Sequence, residues 1–130
     1  MATIAAGILV CMVALALYGL QEERTLTGYL AQVGEVPATY ASVDAFLQRE
    51  FPSGMSRLQV VAKLDHLFVY AFVGATSSKS PWFTVCFPEK GCTNEKWQQG
   101  KCRCLFYQFW FAGDSLQKVQ PDEISRIRLF

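Results

Sequence analysis

Residues 102–111 read CRCLFYQFWF, a run dense in aromatic residues and bounded by polar loops, which is the composition of a β-strand. Successive side chains of a strand point to opposite faces. Cys102, Cys104, Phe106, Gln108 and Trp110 therefore share one face, and Arg103, Leu105, Tyr107, Phe109 and Phe111 the other. Both faces are apolar. The strand is either central in a small, tightly packed core, or its second side meets a protein partner or lipid. Downstream, Ala112-Gly113-Asp114 turns the chain into a further strand over Ser115–Gln120, and a short final strand fits Ile124–Leu129. Upstream, Trp82–Phe87 forms a strand stopped by Pro88, and His66–Val73 (HLFVYAFV) one that ends at Gly74, with Ala75–Pro81 as a polar loop.

Two cysteines of this strand belong to a set of four: Cys86, Cys92, Cys102 and Cys104. An even number in a small domain outside the cytoplasm reads as two disulfides. Cys102 and Cys104 are two residues apart on one strand face, about 7 Å, which disfavours a bond between them. Each then pairs with Cys86 or Cys92. The nested set Cys86–Cys104 and Cys92–Cys102 follows the antiparallel course of the two strands and pins the polar loop GCTNEKWQQGKC. Zinc ligation is the rival, but C-x5-C-x9-C-x-C lacks the C-x2-C knuckles that set two thiolates on one ion. No metal and no cofactor is expected.

Two helices precede the strands. Ser42 can cap a helix whose apolar residues Val43, Phe46, Leu47 and Phe51 make one stripe, broken by Pro52-Ser53-Gly54. Ser56 followed by Gln59 is a capping box, and Met55 with Val60 occupies the hydrophobic-staple positions. Leu58, Val60, Val61 and Leu64 supply that helix's inward face, with Arg57 and Lys63 outside. Helices first and strands after them predict an α+β domain over 41–130, two helices covering an antiparallel β-meander. Residues 22–40, with Gly28, Gly34 and Pro37, read as a linker.

Ahead of the linker, Ile4–Leu20 reads IAAGILVCMVALALYGL, and no charged residue occurs before Glu22. Nineteen residues counted from Ala2 rise about 28 Å as a helix, close to the roughly 30 Å hydrocarbon core of a bilayer. Tyr18 stands where an interfacial aromatic belongs, and Gln21, Glu22, Glu23 and Arg24 follow at headgroup level. A cleaved signal peptide competes, since Ala14-Leu15-Ala16 has the small-x-small form. Against it, no Lys or Arg precedes the apolar run, and only about a dozen apolar residues precede that site. A lipoprotein signal fits less well, with Leu9-Val10 before Cys11 where a small residue is wanted. Residues 1–21 are thus expected to be an uncleaved transmembrane anchor. Positive charge does not set its orientation, so the cysteines do: a disulfide-bonded domain lies outside the cytoplasm, with the N-terminus inside.

A formal charge of +1 and a pI near 7.6 leave no basic excess to track a phosphate backbone, so nucleic acid is not an expected partner. His66 is the one histidine and opens the first strand as read above, and G-x-S-x-G, P-loop, C-x-x-C-H and H-E-x-x-H motifs are all missing. Asp44, Asp65 and Asp114 fall at caps and turns. The expectation is a protein that is not an enzyme.

Gly54-Met55-Ser56, with Val60 and Leu64 following, resembles the helix opening of the small β-lactamase-inhibitor-like fold in envelope lipoproteins of the SmpA/OmlA outer-membrane assembly type, which carries Gly-Met-Thr there. Phe51-Pro52 before it and Gly113-Asp114 with Leu116 after the aromatic strand are similar too, and the likeness covers roughly residues 42–120. It implies that fold and a role in envelope assembly. The sequence departs from the family at Asp65, where a Gly is usual, in having no lipobox, and in carrying the apolar helix and four extra cysteines.

Two functions follow as expectations. The first is an accessory subunit of an inner-membrane protein complex, anchored in the lipid bilayer by one helix, with its periplasmic domain docked on integral membrane subunits through Trp82, Phe83, Trp97, Tyr107 and Phe109. Gly7, Ala5, Ala6, Ala14 and Ala16 would allow close helix contact. The second is an assembly or quality-control factor that binds other proteins transiently. A redox protein using one of its disulfides is a third, weaker alternative.

Overall fold

The fold is read from a computed structural model that describes residues 2–68, 72–73 and 81–122. One helix dominates it. Helix α1 runs unbroken over Ala2–Gly34, 33 residues and about 50 Å long. Its first part, through Leu20, is exposed on all sides, and the helix is long and apolar enough to cross a membrane. Its last part is built into the domain: Leu26, Leu30 and Ala31 are buried, and Tyr29 and Val33 pack against the same core.

The linker expected over 22–40 is therefore mostly helix. Gly28 and Gly34 do not break it, because each lies where the helix touches another element too closely for a side chain. A Cβ on Gly34 would sit 2.7 Å from the Phe46 ring, and one on Gly28 2.8 Å from Lys90 Cβ. The helix ends at Gly34 itself. Glu35 takes a left-handed φ of 53°, Val36 N–H donates to Ala31 O and Glu35 N–H to Gln32 O, a Schellman closure, and Pro37 prevents further winding.

Helix α2 (Tyr40–Glu50) is capped by Thr39 rather than Ser42, with Thr39 Oγ1 accepting from Ser42 N. Val43, Phe46 and Leu47 face inward as their spacing predicts, and Phe51 is buried just beyond the last turn. Helix α3 (Arg57–Leu67) has the full capping box, Gln59 N–H to Ser56 Oγ and Ser56 N–H to Gln59 Oε1. Val60 and Leu64 are buried, whereas Leu58 is 79% exposed and does not belong to the inward face. The helix also takes in His66 and Leu67, expected in a strand, because nothing breaks it before Phe68 turns extended.

Strands β1 (Phe72–Val73), β2 (Trp82–Pro88), β3 (Cys104–Ala112) and β4 (Ser115–Pro121) form an antiparallel sheet in chain order. The fold is α+β with a meander. The loop expected over 75–81 lies outside the described residues save Pro81, and the strand over 124–129 lies entirely outside them. Between β2 and β3 the polar loop holds a short helix α4 (Asn94–Gln98), capped by Thr93. Strand β3 is central, with Phe83 opposite Phe109 on β2 and Val119 opposite Phe109 on β4. Its register with β4 shifts between Trp110 and Phe111, a bulge that leaves both Leu116 and Val119 on the helix-covered side.

The core lies between that side of the sheet and the three helices. Phe83, Val85, Phe87, Leu105, Tyr107 and Phe109 meet Leu30, Leu47, Phe51 and Leu64 there. Phe51 and Phe109 stand edge to face at 5.3 Å, and Phe83 stacks on Phe109 at 5.4 Å, geometries that add to simple area burial. The start of β4 is also covered at its outer edge. Gly54 N–H donates to Leu116 O and Leu116 N–H to Met55 O, closing backbone groups that would otherwise be open to pairing.

Candidate functional site

Two features leave the core: the junction where α1 enters the domain, and the far face of the sheet. The junction is built around Arg103, the residue just before β3. Its Nη1 pairs with Glu22 on α1 and its Nε with Glu89 at 3.0 Å, just past β2. All three side chains are less than a third exposed, so the cluster is shielded from full solvent screening. The hydrogen bond donated to Glu22 is the main influence that raises the Arg103 pKa; burial opposes it, and Glu89 adds to the rise. The guanidinium is a fixed cation.

Beside it, Lys90 N–H donates to Thr25 O at 3.0 Å, a backbone bond between the turn after β2 and the helix. Lys90 lies so close across α1 that residue 28 has room for no side chain. One turn away, Glu23 Oε2 accepts the Tyr40 amide at 2.9 Å, satisfying a donor at the start of α2, and Thr27 Oγ1 donates to Glu23 O at 2.6 Å. Glu22 and Glu23, which follow the apolar run directly, thus each hold a different part of the domain to the helix.

A groove of about 730 Å³ opens against this junction, between α1 and the approach to α2. Its charged lining residues are Arg24 and Lys90, both exposed; among the described residues no acidic side chain lines it.

All four domain cysteines are taken up as the nested reading proposes. Cys86 is bonded to Cys104 between adjacent strands, and Cys92 to Cys102 across the loop that carries α4. Cys11, exposed in the apolar run, is a free thiol. Among the described residues no three His, Cys, Asp or Glu side chains are grouped to hold a metal ion. His66 lies exposed in the last turn of α3.

The five aromatics expected to meet a partner divide. Phe83, Tyr107 and Phe109 are at most 2% exposed and fill the chain's own core, so they cannot form a docking surface. Their strand positions put them on the helix-covered face, and Tyr107 Oη donates to Asp44 Oδ1 on α2 at 2.5 Å. Trp82 is on the other face, 38% exposed, stacked on Trp110 at 4.8 Å. Lys118 Nζ stands 5.3 Å from the Trp110 ring centre. Trp97 on α4 is half-buried near Cys102, Arg103 and Phe106 at the opposite end of the sheet. Trp82 and Pro88, the partner of Cys104, are six positions apart along β2, so Trp82 and Trp97 belong to regions about 20 Å apart.

No protein-family model matches the chain, and no curated protein or solved structure is similar to it at a significant level.

Trp110, Arg103 and Glu22 are the site residues that periodicity does not single out. Trp110 carried a signal, since it alternates with Phe109 on a strand already read as apolar on both faces. Arg103 and Glu22 are 81 positions apart, and nothing local pairs them.

Proposed function

We propose that this chain is a single-span membrane protein and a non-catalytic accessory subunit: its helix lies among integral membrane subunits of an inner-membrane complex, and its disulfide-bonded domain docks on their periplasmic side. The observation that carries this reading is the continuity of α1. One helix leaves the domain core at Leu26 and continues, exposed, through the apolar run to the N-terminus. A cleavable leader has no reason to share an unbroken helix with the core of the mature domain. A flexible tether would let the domain search for clients; a helix locked by Arg103–Glu22 and by Lys90–Thr25 holds it at one height and one angle. Fixed orientation suits a subunit with a permanent neighbour.

The outer face of the sheet supplies the docking surface. Trp82 and Trp110 give a rigid apolar patch, with Thr84, Gln108 and Lys118 as polar surroundings, an arrangement of aromatic anchor and polar rim common to protein interfaces. Two disulfides support residence of the domain in an oxidising compartment, outside the cytoplasm. Purification of the full chain in mild detergent, with mass spectrometry of what accompanies it, tests the proposal. A constant stoichiometry with the same integral membrane proteins is expected; many clients in small, variable amounts would favour the assembly-factor reading instead.

A further inference from the structure

The groove at the junction has a charge pattern and a position that together define a ligand. We propose that it receives the phosphate of an anionic phospholipid headgroup, held between Arg24 and Lys90. This rests on the reading of residues 2–20 as the membrane span.

Position comes first. Arg24 stands four residues past Leu20, about 6 Å along the helix axis. The polar layer of a bilayer is roughly 5–7 Å deep on each side of the hydrocarbon core, so Arg24 is at headgroup level when the apolar run fills the core. Lys90 is held at nearly the same height, because its amide is bonded to Thr25 O.

Charge comes second. The sequence around the groove holds as many acids as bases, and a mixed lining would attract nothing in particular. Glu22 and Glu89, however, are engaged with Arg103 and Glu23 with the Tyr40 amide, and Glu35, exposed at the end of α1, is not among the lining residues. Arg24 and Lys90 have no ion pair among the described residues. What remains, among the described residues, is a groove lined by two cations and no anion. Thr25 and Gln32 add polar groups to its wall, and Gly28 at its floor admits the Lys90 stem. A juxtamembrane cation is worth about 1 kcal/mol near an anionic membrane surface, and here two line one groove, Lys90 with its stem against Gly28 of the helix that carries Arg24.

The test uses the full chain in neutral detergent micelles, titrated with short-chain phosphatidylglycerol, short-chain phosphatidylcholine and inorganic phosphate, and followed by the backbone amide shifts of Thr25, Gly28 and Lys90. Saturable shifts with phosphatidylglycerol, at least about tenfold tighter than with phosphatidylcholine or phosphate, are expected. R24Q and K90Q should each weaken binding about fivefold, and R24K/K90R should restore it. Equal affinity for the two lipids, or inorganic phosphate binding as tightly as phosphatidylglycerol, would overturn the proposal, as would unchanged binding in R24Q/K90Q with the amide spectrum otherwise intact. The accessory-subunit reading is tested independently, since a chain with no stoichiometric partner would still show these shifts, and a chain with partners could lack them.

Discussion

Arg103 and Glu22 form an ion pair across 81 positions of sequence, and that pair joins the foot of the central strand to the first charged residue after the apolar helix. Because Arg103 also holds Glu89, its loss would leave two carboxylates together without their cation. R103M should cost about 1–2 kcal/mol after allowance for partial solvent screening, and E89Q less. Denaturant midpoints of the full chain in detergent measure both. For the guanidinium, a raised pKa means that its contribution is undiminished up to its ordinary value and is lost only as pH climbs through the raised one. The difference between wild type and R103M should therefore not diminish on the alkaline side across the working range.

The two disulfides differ in access. Cys86 and Cys104 are 5% and 6% exposed, while Cys92 and Cys102 are half-buried at the loop. Limited reduction followed by alkylation and mass spectrometry should open Cys92–Cys102 first. Each bond contributes on the order of 2–4 kcal/mol, so full reduction should lower the melting temperature sharply. Recovery of a Cys102–Cys104 link, or of four free thiols from the native protein, would contradict the assignment.

Glycine replacements separate the two halves of α1. G34A should destabilise the domain by about 1–3 kcal/mol, because the new methyl meets the buried Phe46 ring. G7A and G19A meet nothing within the chain and should leave domain stability unchanged. Loss of complex retention in G7A with a stable domain would point to helix contacts in the membrane. Thermal melts and co-purification of the three variants read the distinction.

Core and surface aromatics should part in the same way. F109A removes a fully buried ring that touches Phe51 and Phe83, and should cost about 3–5 kcal/mol. W82A should keep the fold and weaken retention in the complex. If W82A is retained as firmly as wild type while deletion of residues 2–20 abolishes retention, docking through the sheet's outer face is wrong and the helix alone holds the protein.

What local chemistry determines was readable in advance. The Ser56–Gln59 box marks a helix start, and alternation along residues 104–111 separates Tyr107 and Phe109 from Phe106 and Trp110; alternation does not say which set faces the helices, so Phe83, Tyr107 and Phe109 were read as docking residues although they are buried. The nested disulfides follow from the same strand pairing. The stretch from Thr25 to Gly34 was misread because Gly28 and Gly34 look like breaks in isolation. Their purpose is close approach, a property of the surfaces brought against them, although Leu26, Leu30 and Val33 at helical spacing carried the opposing signal. Leu58 is the reverse case, an apolar residue at a plausible helical position that the tertiary packing leaves in the open. The junction itself was hidden, since Glu22, Lys90 and Arg103 meet only when the sheet and helix are assembled.

The most direct test of a rigid anchor carrying an extracytoplasmic domain is the side of the membrane on which each end is found. In a C11S background, S53C in the exposed turn before α3 and a cysteine added ahead of Met1 are probed separately with a membrane-impermeant maleimide on intact spheroplasts. Labelling of S53C without permeabilisation, and of the N-terminal cysteine only after it, is the predicted result. Protection of S53C until the membrane is opened would contradict the account.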